Sequence, residues 1–424
     1  MIDRDDRMLA DWLAEGPERG PIEGLQRTLA LTRETGQRPR WVFPASWLPA
    51  GVANGVEAVP GGTRTILLVA ALLLASVAAL VVIAGAQRKV PPPFGPADNG
   101  RIAFNSGSSI YLADPDGSNR VPVQGGEGMD LTATFSRDGT RFAFWSFSDE
   151  QGPMSLYVAN ADGTGVRKIS GDMAIDWTAE ASPTWSPDGS KLAFASRDPG
   201  GVFRIYVVPA DGSSPPLPIT GTDADRTFPD WSPDGRWLAY QQARAGPGAT
   251  LDLVVSNADG SAPHPVFTQA HVDPDVALSG PNWSPDSRRL VFAAPSDPSL
   301  PIGGGADVFV IDRDGTGKQR VFHDPGGHIS WPGWSPGGDL LAFGTGQDAG
   351  ALHVVRPDGT GARIIPLLAG RGSFECNVAF SPDGMQLVSV CRDEQTVNFI
   401  DLATGDQLGS LPSAGSFDWQ RIAR

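Results

Sequence analysis

The chain has 424 residues, a formal net charge of −15 and a sequence pI of about 4.7. That length exceeds one average domain. The acidic balance excludes the basic face that a phosphate backbone requires, so no nucleic-acid partner is expected. Glycine (52) and proline (38) are abundant, as a fold with many tight turns needs.

Residues 1–40 read as a short helical head. Met8, Leu9, Trp12 and Leu13 fall on one helical face, and Ile22, Leu25 and Leu29 on another after a Gly/Pro break. The head is too small for a core of its own. It is either a partly disordered tail or a docking segment for a cytosolic partner. Residues 41–65 form a Pro/Gly/Ala linker. Residues 66–86 are apolar without a single charge. At about 1.5 Å per residue the segment spans about 30 Å, the thickness of a bilayer core, and predicts one transmembrane helix. More than 60 largely polar residues precede it, which excludes an ordinary cleaved signal peptide. Ala71, Ala75 and Ala79 recur at a spacing that lets two such helices approach. Residues 87–99 are a proline-rich, stiff spacer.

The remainder, 100–424, is periodic. Trp-Ser-Pro-Asp-Gly stands at 185–189 and 231–235, with variants at 135–139, 283–287, 334–338 and 380–384. A repeat of about 50 residues marks a propeller or solenoid. Within one copy, Pro187-Asp188-Gly189 is a turn joining two strands, and Asp211-Gly212 is a turn joining the third strand to a short fourth. Four short antiparallel strands make a propeller blade. The second turn recurs at Asp116-Gly117, Asp162-Gly163, Asp259-Gly260, Asp314-Gly315 and Asp358-Gly359, with Thr404-Gly405 as a degenerate seventh copy. Seven second turns against six first turns leave blade one without its first strand. The strand-like Phe417–Ile422 supplies it and closes a seven-bladed ring. The expected fold is therefore all-β: a seven-bladed propeller preceded by the helical head and one membrane helix.

These two turns, in phase over three-quarters of the chain, resemble the TolB-like propeller family. That resemblance implies a binding platform outside the cytoplasm. The layout also resembles membrane-bound anti-sigma regulators, although their zinc-binding head carries a His and Cys cluster that residues 1–40 lack. Charges flanking the membrane segment point both ways: Arg64 on one side, Arg88 and Lys89 on the other, and Arg27, Arg33, Arg38 and Arg40 further back. Together with the resemblance they predict a cell-membrane protein with its head in the cytosol and its propeller outside.

Candidate chemistry is sparse. No Gly-x-Ser-x-Gly elbow occurs, and Gly315-Thr316-Gly317-Lys318 lacks the spacing and helix of a phosphate loop. The Asp-Gly turns lack the further ligands of a calcium loop. The five histidines, His264, His271, His323, His328 and His353, show no metal spacing. No cofactor or metal is expected. The motif tryptophans recur once per blade and are assigned to packing between blades. The connections between blades are the candidate binding face for a protein, peptide or glycan: Asp176, Trp177, Glu180, Asp225, Arg226, His271, Asp273, His328, Trp331, Arg371 and Glu375. The hairpin register that opposes Ser381 to Gln386 also opposes Cys376 to Cys391, the only two cysteines, and predicts a disulfide. The leading expectation is a membrane-anchored binding or sensing scaffold. The alternatives are a lyase or hydrolase using channel carboxylates, and a structural tether in an envelope complex.

Overall fold

A computed structural model describes residues 95–148, 153–175, 182–246, 248–270, 278–297, 305–326, 329–345, 351–366, 376–391, 396–412 and 416–423. The head, linker and apolar segment 66–86 lie outside the described residues. Among the described residues no helix is long and apolar enough to cross a membrane.

The strands form seven four-stranded antiparallel sheets, each one blade. In blade three the order is Thr184–Trp185, Lys191–Arg197, Phe203–Pro209 and Leu217–Pro218. Blade one is assembled from both ends of the domain: Phe417–Ile422 pairs with Asp98–Ser106, followed by Ser109–Ala113 and Val121–Pro122. The ring thus closes with the C-terminal strand innermost, as the mismatch in turn counts predicts. The outer strands Val121–Pro122, Arg167–Lys168 and Leu217–Pro218 are exposed. The first strands converge on the axis.

Second and third strands are apolar almost throughout because each blade is covered on both faces. Leu192, Ala193, Phe194 and Ile205 are fully buried. Among the described residues there is no single central core. Each interface between neighbouring blades carries its own cluster: blade two meets three through Trp145, Leu156, Trp185 and Phe194, and blade seven meets one through Val388, Phe399, Phe104 and Trp419. Stability is therefore spread around the ring, as expected for a repeat architecture.

The repeated turns occupy one face. In blade three, Gly189 N–H donates to Ser186 O at 2.8 Å, Ser186 Oγ donates to Asp188 Oδ1 at 2.6 Å, and Lys191 N–H donates to Ser186 Oγ at 2.9 Å. The serine hydroxyl stitches the hairpin while the aspartate holds the hydroxyl. The departures from the motif are compensated locally. In blade six Gly337 stands at the aspartate position, and Asp339 takes over at 2.8 Å from Ser335 Oγ. In blade five Ser287 replaces the glycine at φ 62°, and its Oγ accepts the Asp234 N–H of blade four at 2.9 Å. The strain of a left-handed serine thus coincides with a bond between blades.

Candidate functional site

Two regions near the axis bear polar or exposed groups: a belt inside the channel and a rim at the face opposite the turns.

The belt is built from the residue that precedes each motif aromatic. Around the ring from blade one to seven it reads Asp418, Thr134, Thr184, Asp230, Asn282, Gly333 and Ala379. Each polar member reaches the next blade. Asp418 accepts Phe135 N–H at 2.6 Å, Thr134 donates to Pro183 O at 3.2 Å, and Thr184 donates to Asp230 at 3.4 Å. Asp230 also accepts Trp283 N–H at 3.2 Å, and Asn282 donates to Pro332 O at 3.0 Å. Gly333 and Ala379 carry no polar side chain, so this side-chain belt ends at blade six. The motif tryptophans reinforce it from behind. The indoles of Trp185, Trp283 and Trp334 donate to the Thr134, Asp230 and Asn282 carbonyls of the preceding blades at 3.0–3.1 Å. Their assignment to packing between blades matches this geometry.

The belt carboxyls are electrostatically unusual. Burial pushes both Asp230 and Asp418 up to about 6, against the opposing pull of backbone N–H donors and of Arg137. Arg137 stands where five other motif copies have proline. Its charge opposes the rise at carboxyls that come from blades one and four. Arg421 is lowered to about 10, first by burial and then by repulsion from Arg137. From sequence alone, channel carboxylates are expected only as a class. The position before each motif aromatic is the signal that identifies Asp230 and Asp418.

At the rim, Trp331 is 39% exposed. Its ring lies 4.8 Å from that of Phe228, tilted by 59°. Trp331 leads into blade six and Phe228 belongs to blade four, so the pair reaches past blade five near the axis. Gly280 makes room for it: a Cβ there would sit 2.2 Å from the indole. Phe228 holds φ at 53°, within a bulge of the inner strand between Thr227 and Asp230. Thr132 repeats this conformation in the bulge of blade two. A positive φ is rare for bulky or β-branched residues and is tolerated where the fold imposes it.

Two other candidate binding-face residues make contacts within the fold. Asp225 and Arg226 lie within the inner strand Asp225–Trp231, because that strand continues past its bulge and shortens the connection. Asp225 accepts Phe203 N–H at 2.8 Å. Arg226 is buried, bonds Asp223 at 2.8 Å and donates to the Gly221 and Ala224 carbonyls. Asp176, Trp177, Glu180, His271, Asp273, His328, Arg371 and Glu375 lie outside the described residues. Cys376 and Cys391 are directly opposed in the register of the first two strands of blade seven.

One cluster imitates a catalytic triad. Ser296 Oγ is 3.3 Å and Asp307 Oδ1 2.8 Å from His323, but both meet the same Nδ1. A relay needs nucleophile and orienting carboxylate on opposite nitrogens, so this arrangement moves no proton from Ser296. His323 lies within the outer strand Gln319–Asp324. His353 is buried against Phe343 and Phe322, and burial lowers its pKa. No group of three or more metal-ligating side chains occurs among the described residues.

Fold and axis together define a seven-bladed propeller whose blades are pinned by repeated Ser-x-Asp-Gly turns. Residues 98–272 match the family model described as the TolB beta propeller domain, and the described domain is similar to TolB-like propellers in fold and repeat. The chain is 29% identical to an uncharacterised protein of Agrobacterium fabrum over 49% of its own length and 67% of the relative's. It is 31% identical to the TolB homologue of Chlorobium luteolum over 55% of its length, spanning about half (48%) of that relative. Among solved structures it resembles puromycin hydrolase with a TM-score of 0.51 and 17% identity, covering 76% of this chain and 55% of that one. The last likeness concerns the fold alone.

Proposed function

We propose that the protein is a membrane-anchored scaffold that presents the face opposite its turns to a protein or peptide outside the cytoplasm, with residues 1–40 free to meet a cytosolic partner. The observation that carries this reading is Trp331, a large aromatic held exposed at the channel rim by Phe228 and by the space at Gly280. Rigid exposed aromatics near a concave centre are the usual anchors of protein recognition. The apolar segment 66–86 and the family resemblance support the anchoring and the outward placement.

The test is site-directed photo-crosslinking in intact cells. A photoreactive residue at position 331 is expected to give a discrete protein adduct. The same residue at position 385, exposed in a first turn on the opposite face, is expected to give none. Equal labelling from both positions would defeat the reading. Protease added to the same cells is expected to remove a C-terminal tag and spare an N-terminal one.

The raised pKa values of Asp230 and Asp418 favour a second reading, hydrolase or lyase chemistry in the channel. The two readings separate on the Asp230→Asn/Asp418→Asn double variant. Catalysis would lose turnover on a substrate panel, whereas the scaffold keeps its adduct at position 331.

A further inference from the structure

We propose that Cys376 and Cys391 are joined by a disulfide that braces the inner hairpin of blade seven, the blade where the side-chain belt is missing. The inference deepens the outward placement above, and it rests on that reading for its source of oxidant.

The first observation is register. Strands Cys376–Phe380 and Gln386–Cys391 pair without a bulge, and Cys376 stands directly opposite Cys391. The second is the type of pair. Ser381 N–H donates to Gln386 O at 2.9 Å, so Ser381 and Gln386 form a hydrogen-bonded pair. Antiparallel pairs alternate. Asn377 and Val390 are therefore hydrogen-bonded partners, and Cys376 and Cys391 are a non-hydrogen-bonded pair. At such sites the Cα atoms are about 4.5 Å apart and side chains come closest, inside the range a disulfide spans.

The third observation is location. Asp418, Thr134, Thr184, Asp230 and Asn282 each link an inner strand to the next blade, but Ala379, at the same position in blade seven, cannot. Blade seven also borders blade one, where the ring is closed by a separate segment of chain. On the turn face this seam is held by Asn99 Nδ2 donating to Asp383 at 2.9 Å and by Ala97 N–H donating to Pro382 O at 2.8 Å. A bond at Cys376 would secure the same hairpin at its other end, where the connection carrying Arg371 and Glu375 arrives.

In the reaction each thiol gives up its proton and the two sulfurs bond. The two electrons and two protons pass to a donor disulfide, which leaves as two thiols. Such donors prevail outside the cytoplasm.

The experiment uses the full chain in its own membrane. Cells are quenched in acid, the protein is alkylated in denaturant without reductant, and peptides are mapped by mass. The expected result is a linked pair of peptides containing Cys376 and Cys391, with no alkylated cysteine. The same chain is then purified, reduced, and exposed to oxidised glutathione while folded. If both cysteines are alkylated in quenched cells but link readily in glutathione, the pairing stands and the outward placement falls. If neither condition links them, the proposal is overturned. Reduction of the linked protein is expected to lower its melting temperature by roughly 5 °C, the scale for closing a loop of about 15 residues in a domain of this size. Cys376→Ser and Cys391→Ser are each expected to leave one alkylatable thiol and the same lowered melting temperature. An unchanged melting temperature in both would show that the bond braces nothing.

Discussion

Aspartates of the turns and aspartates of the channel are the same side chain in opposite situations. Asp162, Asp211, Asp259, Asp314 and Asp358 sit in solvent-exposed second turns. Each accepts a hydroxyl and a backbone N–H two residues ahead, which holds its carboxyl below the ordinary range. Asp188 and Asp286, in first turns, are lowered as well, although burial works against it. Asp230 and Asp418 also accept backbone N–H bonds, yet they rise to about 6 because the channel removes the water that stabilises charge. Hydrogen-bond donors decide the titration where water remains; desolvation decides it where water is displaced.

The widest departure from wild type is expected where turn and channel meet. Gly139, in the first turn of blade two, has φ +67°, and an added Cβ would lie 1.9 Å from the Arg421 carbonyl on the closing strand. Gly139→Val is expected to cost at least about 4 kcal/mol or to prevent folding. Gly171→Val, with positive φ but open space around it, is expected to cost about 1–2 kcal/mol. Denaturant midpoints of the two variants measure the difference, and equal losses would mean that the seam does not bear on stability.

Next comes Trp185, buried at the interface of blades two and three, with its indole bonded to Thr134 O and Arg141 over its ring. Trp185→Ala is expected to cost about 3–5 kcal/mol, with an unchanged slope against denaturant if the ring unfolds as one unit.

Smaller and opposite in sign are the aspartate replacements. The lowered Asp188 contributes stability above the unfolded carboxyl pKa of 3.8 and loses it as pH falls through its folded value. Asp188→Ala should therefore cost about 1–2 kcal/mol at pH 7, for the hydrogen bonds lost, and progressively less below pH 4. The raised Asp230 contributes stability below 3.8 and loses it as pH rises through about 6. Asp230→Asn keeps an acceptor for Trp283 N–H and should stabilise the domain by about 1 kcal/mol at pH 7.5, after allowance for its partial exposure. That gain should vanish near pH 3. Thermal melts from pH 3 to 8 test both, and parallel pH profiles would contradict the contrast between turn and channel.

Smallest of all, Trp331→Ala is expected to change stability by less than about 1 kcal/mol, since the ring is partly exposed. It should nevertheless abolish partner crosslinking from neighbouring rim positions.

Repetition made the fold legible. A turn that needs Pro, Asp and Gly in fixed order leaves the same letters at each recurrence, and the count of turns alone located the closing strand. The cysteine register was legible for the same reason, because one hairpin geometry applies to every blade. The rim was read less well. Asp225 and Arg226 look like loop residues by polarity, but a bulge carries the strand through them, and Arg226 is buried on Asp223. Trp331 stands out in sequence as an aromatic in a connection between blades, but its partner Phe228 does not, since contact past an intervening blade leaves no trace in local spacing.

Blade number, turn chemistry and ring closure are written in the chain, because they depend on contacts between residues close in sequence or repeated in phase. Which polar residues act together follows from the assembled ring. Asp230, Asp418 and Arg137 come from blades four, one and two, and they share an environment because seven first strands converge on one axis. That convergence both removes their water and brings their charges within reach of one another, which separation along the chain does not encode.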